Sequence, residues 1–215
     1  VLTVDEISEI IDSTFLVSKP RKDLYNRHKT VKPLALCEAL ISFFTLENAT
    51  ILDPFAGSGT SLVSAKMNNL YGIGNDINPF AVYLSQVKTT CLTPSAIESC
   101  HYDIKHNILP DLDSAEAKNC VDENINSGWF PKPQESQLLY IRHRLNELDY
   151  SEEIIKPFKI VLSTVARECS YQRNGEYKRY RIPEKQRETH NPNVKELFTS
   201  YSDEVSAQLL QFSKQ

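Results

Sequence analysis

No apolar run in this sequence approaches the roughly 18 residues that a helix needs to cross a bilayer, which excludes a helical membrane span. The five cysteines (Cys37, Cys91, Cys100, Cys120 and Cys169) form no CxxC pair, and their number is odd. That pattern excludes a disulfide framework and a ribbon-type zinc site, and it leaves reduced structural thiols. There is no Gly-Lys pair, so no phosphate-cradling GxxxxGK[ST] loop, and no GxSxG serine elbow. No histidine–carboxylate set has metal-ligand spacing; His101, His106, His143 and His190 sit in polar stretches and are expected at the surface. No two of the eleven prolines adjoin. The first residues, VLTVDEISEIIDSTF, have neither the basic start nor the cleavage site of a signal peptide. The expectation is an intracellular, cytoplasmic protein with no membrane and no metal among its partners.

What is present is globular. The 215 residues are 40% hydrophobic and 24% charged, enough for an ordinary core. The net charge of −4 weighs against a chain that grips nucleic acid over its whole surface. Charge is uneven, however. Residues 111–126 are acidic, whereas residues 167–187 hold Arg173, Lys178, Arg179, Arg181, Lys185 and Arg187 with Tyr171, Tyr177 and Tyr180 between them.

Hydrophobic periodicity predicts helices over residues 4–16 and 34–44, then a short strand at 50–52 that stops at Asp53-Pro54. A helix over 61–69, a second strand at 70–74 and a helix over 80–88 follow, the last opened by Asn78-Pro79. Residues 93–106, 134–149, 152–169 and 193–213 all favour helix, separated by turn-rich stretches. The order strand–loop–helix–strand–acid–helix opens a Rossmann-like doubly wound sheet. The predicted fold is therefore α/β, a partial Rossmann-like sheet with a largely helical C-terminal region. Its predicted parts are residues 1–92, and residues 93–215 as a helical insert or a partner- or DNA-contacting region.

Between the first strand and its helix lies Asp53-Pro54-Phe55-Ala56-Gly57-Ser58-Gly59-Thr60. A glycine turn there lets a ligand approach the backbone, with the amides of the helix start facing it. The dinucleotide fingerprint GxGxxG fails, because the third residue after Gly59 is Leu62. Asp76 ends the second strand roughly 20 residues later, where such folds place an acid against ribose hydroxyls.

The string Asp-Pro-Phe-x-Gly-Ser-Gly-Thr resembles the first signature motif of the S-adenosylmethionine-dependent DNA amino-methyltransferases, which methylate the exocyclic nitrogen of adenine or cytosine. Gly74-Asn75-Asp76 is similar to that family's acid after the second strand. His28-Lys29-Thr30-Val31-Lys32-Pro33 is similar to the element that precedes its glycine loop. The resemblance is strong over residues 28–88. It implies S-adenosylmethionine as cofactor, with Asp53, Phe55, Ala56, Gly57, Ser58, Gly59 and Thr60 along its methionine and ribose side. It also implies Asp76 on the ribose, Ile77 against the adenine, and Thr30 and Lys32 at the methionine end.

The absence of a Pro-Pro pair now acquires meaning. In this family a (Asp/Asn/Ser)-Pro-Pro-aromatic motif holds the target amine and stacks the flipped base. Here Phe130-Pro131-Lys132-Pro133 has the wrong spacing, and only two strands are legible. Attack on the cytosine ring would need a cysteine after a proline, and none follows one; Cys91 is expected to be a packed thiol. The expectation is a cofactor-binding part whose catalytic motif lies in a remaining domain or a second polypeptide. An RNA methyltransferase portion and a non-catalytic regulatory subunit are the alternatives. DNA is the expected partner, with Arg173, Lys178, Arg179 and Arg181 as the nucleic-acid candidates.

Overall fold

The computed structural model describes residues 34–122, 128–173 and 180–213. Thr30, Lys32, Lys178, Arg179 and the helix expected over residues 4–16 lie outside the described residues. The chain divides into two compact units, Val1–Thr90 and Cys91–Gln215.

In the first unit, helix α1 (Leu34–Phe44) precedes strand β1 (Thr50–Asp53), helix α2 (Thr60–Met67), strand β2 (Tyr71–Gly74) and helix α3 (Pro79–Thr89). β1 and β2 pair in parallel, with Thr50 opposite Tyr71 and Asp53 opposite Gly74. Parallel neighbours need a crossover, and α2 supplies it, packing against both strands and between α1 and α3. α3 starts at Asn78-Pro79 because proline needs no amide partner there and the Asn78 side chain accepts from the Phe80 N–H at 3.0 Å. The described residues thus make a mixed α/β arrangement that is mostly helical, with one two-stranded parallel sheet.

The core is distributed unequally. The largest fully buried side chains, among them Phe158, Phe198, Ile97, Ile141, Leu145 and Val161, all belong to the second unit. Buried positions of the first unit are mainly small: Ala56, Ser58, Thr60, Ser64, Ala65, Ala81 and Ser85. Ile41, Leu84 and Val87 of its helices are buried too, but three large side chains of its strands are exposed, Leu52 at 67%, Tyr71 at 73% and Ile73 at 57%. Parallel strands are ordinarily covered on both faces, and burying each such side chain is worth about 1.5–3 kcal/mol. The described part of the first unit leaves that stabilisation unrealised.

The second unit is helical: α4 (Pro94–Asp103), a π-helical and a 3-10 turn through Asp113, then α5 (Ala115–Lys118), α6 (Lys132–Glu147), α7 (Glu152–Cys169), α8 (Glu184–Arg187) and α9 (Val194–Phe212). α7 packs on α6 and α9, and α9 also packs on α4. α6 begins within the proline-rich string read as a turn: Pro131 caps it and Pro133 occupies its first turn, where a missing N–H costs nothing. No helix among the described residues is long and apolar enough to cross a membrane.

Two expectations from the sequence are corrected. Cys91 is exposed, because it lies in the short link between α3 and α4 rather than on either helix. His101 is half-buried rather than freely exposed: its ring stacks on Phe158 with centroids 6.0 Å apart, and its Nε2 lies 3.0 Å from Asp203 Oδ1. Burial lowers the pKa of His101 below its ordinary 6.5, outweighing the Asp203 carboxylate, while Lys105 and His106 push the same way as burial. Folding therefore favours the neutral ring. Its contribution to stability is intact above pH 6.5 and is lost as pH falls below that value. The unfolding midpoint is expected to drop between about pH 7.5 and about pH 5, with a shallower drop in His101→Gln. Parallel slopes for the two proteins would show that the ring is solvated.

Candidate functional site

The carboxyl ends of β1 and β2 carry a compact hydrogen-bonded turn. Asn75 N–H donates to the Asp53 carbonyl at 3.0 Å and Ala56 N–H to the Asn75 carbonyl at 2.9 Å, so the two strand ends are laced together. Asp53 is buried; its Oδ1 accepts from Phe55 N–H at 3.1 Å and its Oδ2 accepts from the Ser61 hydroxyl. Asp76 reaches back across the turn. Its Oδ2 accepts from Gly57 N–H at 2.8 Å, and its Oδ1 from Asn78 N–H at 2.8 Å.

Gly57 and Gly59 both have left-handed φ, +54° and +82°. Gly59 caps α2 and has no side chain to take up the amides of its first turn. Those amides are left for another acceptor, and a helix start suits a polar or anionic one. Space at the two glycines differs: among the described residues a Cβ on Gly57 would meet nothing within 4 Å, whereas one on Gly59 would lie 2.5 Å from Ser85 Cβ. Gly57 thus faces an open mouth and Gly59 a packed neighbour.

The turn brings Asp53, Phe55, Ala56, Gly57, Ser58, Gly59, Thr60 and Asp76 together at one end of the sheet. Ala56, Ser58 and Thr60 are buried, and so build the turn. Phe55 and Ile77 stand out from it at 81% and 99% exposure. The turn thus presents an acceptor carboxylate at Asp76, a glycine backbone at Gly57 and an exposed apolar side chain at Ile77.

Of the nucleic-acid candidates, Arg173 and Arg181 fall within the described residues, on two arms of the second unit joined by an antiparallel bridge between Gln172 and Arg181. The Arg181 guanidinium lies 4.5 Å from the ring centroid of Trp129, and that of Arg187 lies 5.9 Å from the ring of Tyr171. Trp129 stands in the string Gly128-Trp129-Phe130, and nothing local in the sequence ties it to Arg181. The second unit also holds a cavity of about 430 Å³ between α6 and α7, with Phe130, Leu138, Leu145 and Leu162 in its walls. None of the candidate residues lines it. Burial pushes the thiols of Cys100 and Cys169 up to about 12, so neither is a thiolate nucleophile near neutral pH.

Residues 5–87 match the sequence profile of a family described as DNA methylase. The chain is 32% identical over 189 residues to the type II methyltransferase M.MvaI of Kocuria varians, covering 82% of this chain and 41% of that protein. It is 31% identical over 157 residues to the type II methyltransferase M.BsoBI of Geobacillus stearothermophilus, covering 72% of this chain and 30% of that protein. A 51-residue stretch is 49% identical to the type II methyltransferase M.HindIII of Haemophilus influenzae, covering 24% of this chain and 16% of that protein. The chain therefore spans well under half the length of these relatives. No solved structure matches it.

Proposed function

We propose, from the match of residues 5–87 to a family described as DNA methylase, that the first unit is the S-adenosylmethionine-binding part of an enzyme that methylates the exocyclic amino group of adenine or cytosine in DNA. The observation that carries this reading is the 2.8 Å contact between the Gly57 amide and the Asp76 carboxylate. It ties the glycine turn after β1 to the acid after β2 at the carboxyl ends of parallel strands, where open α/β sheets of Rossmann-like type bind their ligands.

In this reading Asp76 accepts from the ribose hydroxyls, Ile77 covers a face of the adenine, and Phe55 to Thr60 follow the methionine and ribose side. Asp53 braces the turn from beneath through Phe55 and Ser61. Thr30 and Lys32 belong at the methionine end. When bound, the cofactor supplies an electrophilic methyl group. The motif that holds the target amine is carried elsewhere, in the rest of a longer protein or in a second polypeptide, together with further strands. The exposed Leu52, Tyr71 and Ile73 support that assignment, since added strands and helices would cover them. The second unit is the DNA-contacting part, through Arg173 and Arg181 and through Lys178 and Arg179 in the same segment.

The test has two arms. Calorimetric titration with S-adenosylmethionine and S-adenosylhomocysteine is expected to show one site for each. The assembled enzyme, given cofactor labelled on its methyl group, is expected to label duplex DNA as N6-methyladenine or N4-methylcytosine. A folded protein that binds neither ligand, in an assembly that leaves DNA unlabelled, would overturn the reading.

A further inference from the structure

Arg142 and Arg144 in the second unit are each bound to a carboxylate, of Asp122 at 2.6 Å and of Glu147 at 2.8 Å. Arg173, Arg181 and Arg187 gather at one place, and among the described residues none of the three lies within ion-pair distance of a carboxylate. Backbone hydrogen bonds fix the place: Tyr171 N–H donates to the Trp129 carbonyl at 2.7 Å, Ile182 N–H to the Tyr171 carbonyl at 2.7 Å, and Arg173 N–H to the Tyr180 carbonyl at 2.7 Å. Trp129, the chain's one tryptophan, thereby comes under the Arg181 guanidinium at 4.5 Å.

Stacking on an indole uses the flat face of a guanidinium and leaves its in-plane N–H edge available. Arg181 and Arg187 differ in what remains. Arg187 Nε donates to the Ile182 carbonyl at 2.9 Å, and its side chain is half-buried. Arg181 is exposed, and among the described residues its guanidinium has no hydrogen-bond acceptor. A cation that only neutralises phosphate works as a mobile point charge. Packing one over an indole before DNA arrives removes rotamer freedom in advance and narrows the directions its fork can take, which is what reading a base edge requires. Guanine is the base that presents two acceptors, O6 and N7, side by side in the major groove.

We propose that Arg181 is a sequence-reading residue directed at the O6/N7 edge of a guanine, that Trp129 is the positioning residue that holds its guanidinium, and that Arg187 contacts a phosphate. This rests on the DNA reading above and adds a base preference to it.

The test is selection of bound duplexes from a randomised pool by the assembled enzyme, for wild type, Arg181→Lys, Trp129→Leu and Arg187→Gln. The wild-type consensus is expected to contain at least one invariant G·C pair. Arg181→Lys and Trp129→Leu are expected to relax the same single position by roughly tenfold or more and to leave the others intact. Arg187→Gln is expected to keep the consensus and to reduce the slope of log affinity against log salt by about one. Cofactor binding should be unchanged in all three, and their urea unfolding should match wild type, which shows that both units are folded. If Arg181→Lys weakens every sequence alike and flattens the salt dependence, Arg181 is a phosphate contact and the proposal is overturned, while the methyltransferase reading stands. A Trp129→Leu consensus identical to wild type overturns the role of Trp129. A wild-type assembly that selects no sequence overturns both the proposal and the DNA reading beneath it.

Discussion

Gly59→Ala is expected to destabilise the first unit by about 3 kcal/mol, whereas Gly57→Ala, two residues earlier, is expected to leave it folded and to abolish cofactor binding. At Gly59 the added methyl carbon would lie 2.5 Å from Ser85 Cβ and 2.9 Å from Ser85 Cα. The second of these is backbone of α3, so relief requires α2 and α3 to separate. Left-handed φ costs a non-glycine residue about 1–2 kcal/mol, and overpacking adds about 1–3 kcal/mol. A total of about 3 kcal/mol is a large share of what a small unit has, and this unit has few large buried side chains. At Gly57 the same methyl meets nothing within 4 Å among the described residues, so only the backbone term of about 1–2 kcal/mol applies. The methyl would instead project into the mouth that the cofactor is proposed to fill. Urea unfolding and calorimetric titration of the two variants separate the effects. A Gly59→Ala protein as stable as wild type would deny the close approach of α2 to α3. Unchanged affinity in Gly57→Ala would move the ligand away from the loop.

That contrast marks what sequence can and cannot say. The glycine turn was legible because its chemistry is local: an apolar run ends at Asp53, two glycines follow within six residues, and an acid recurs after the next apolar run. A helix start was legible where a proline announced it, as at Pro79. The start of α6 was misread because Pro131 and Pro133 signal a turn and a helix entrance equally well until the following periodicity decides. The two glycines look alike in the string, and only Ser85, brought in by α3, gives them different duties. His101 looked polar by its neighbours, but Phe158 comes from a separate helix and covers one face of its ring. Trp129 and Arg181 were invisible as a pair for the same reason. In each case the missing information is a tertiary contact, which no spacing rule within one element encodes.

Asp76→Ala is expected to lower affinity for S-adenosylmethionine and S-adenosylhomocysteine alike, by about 100-fold, with a much smaller loss of stability. Each carboxylate oxygen of Asp76 already accepts one backbone amide, from Gly57 or from Asn78. Each has a further lone pair, so the same group can hold the turn and still accept from ribose hydroxyls. Hydrogen bonds to a charged acceptor are worth about 1.5–3 kcal/mol each, and losing one or two of them at the ligand corresponds to roughly that fold-change. The amide contacts are partly solvated and contribute less, on the order of 1 kcal/mol together. Asp76→Asn should fall between, because its NH₂ must face one of the two amide donors while its remaining oxygen serves the other. Asp53→Ala makes the opposite case: it strips acceptors from Phe55 N–H and from the buried Ser61 hydroxyl, so its loss of binding should follow a loss of stability. The two ligands differ only in the transferable methyl group and the positive charge on sulfur. Equal losses for both in Asp76→Ala would place the acid on the shared ribose. A loss confined to S-adenosylmethionine would mean that Asp76 balances the sulfonium charge instead, and the ribose would need another acceptor.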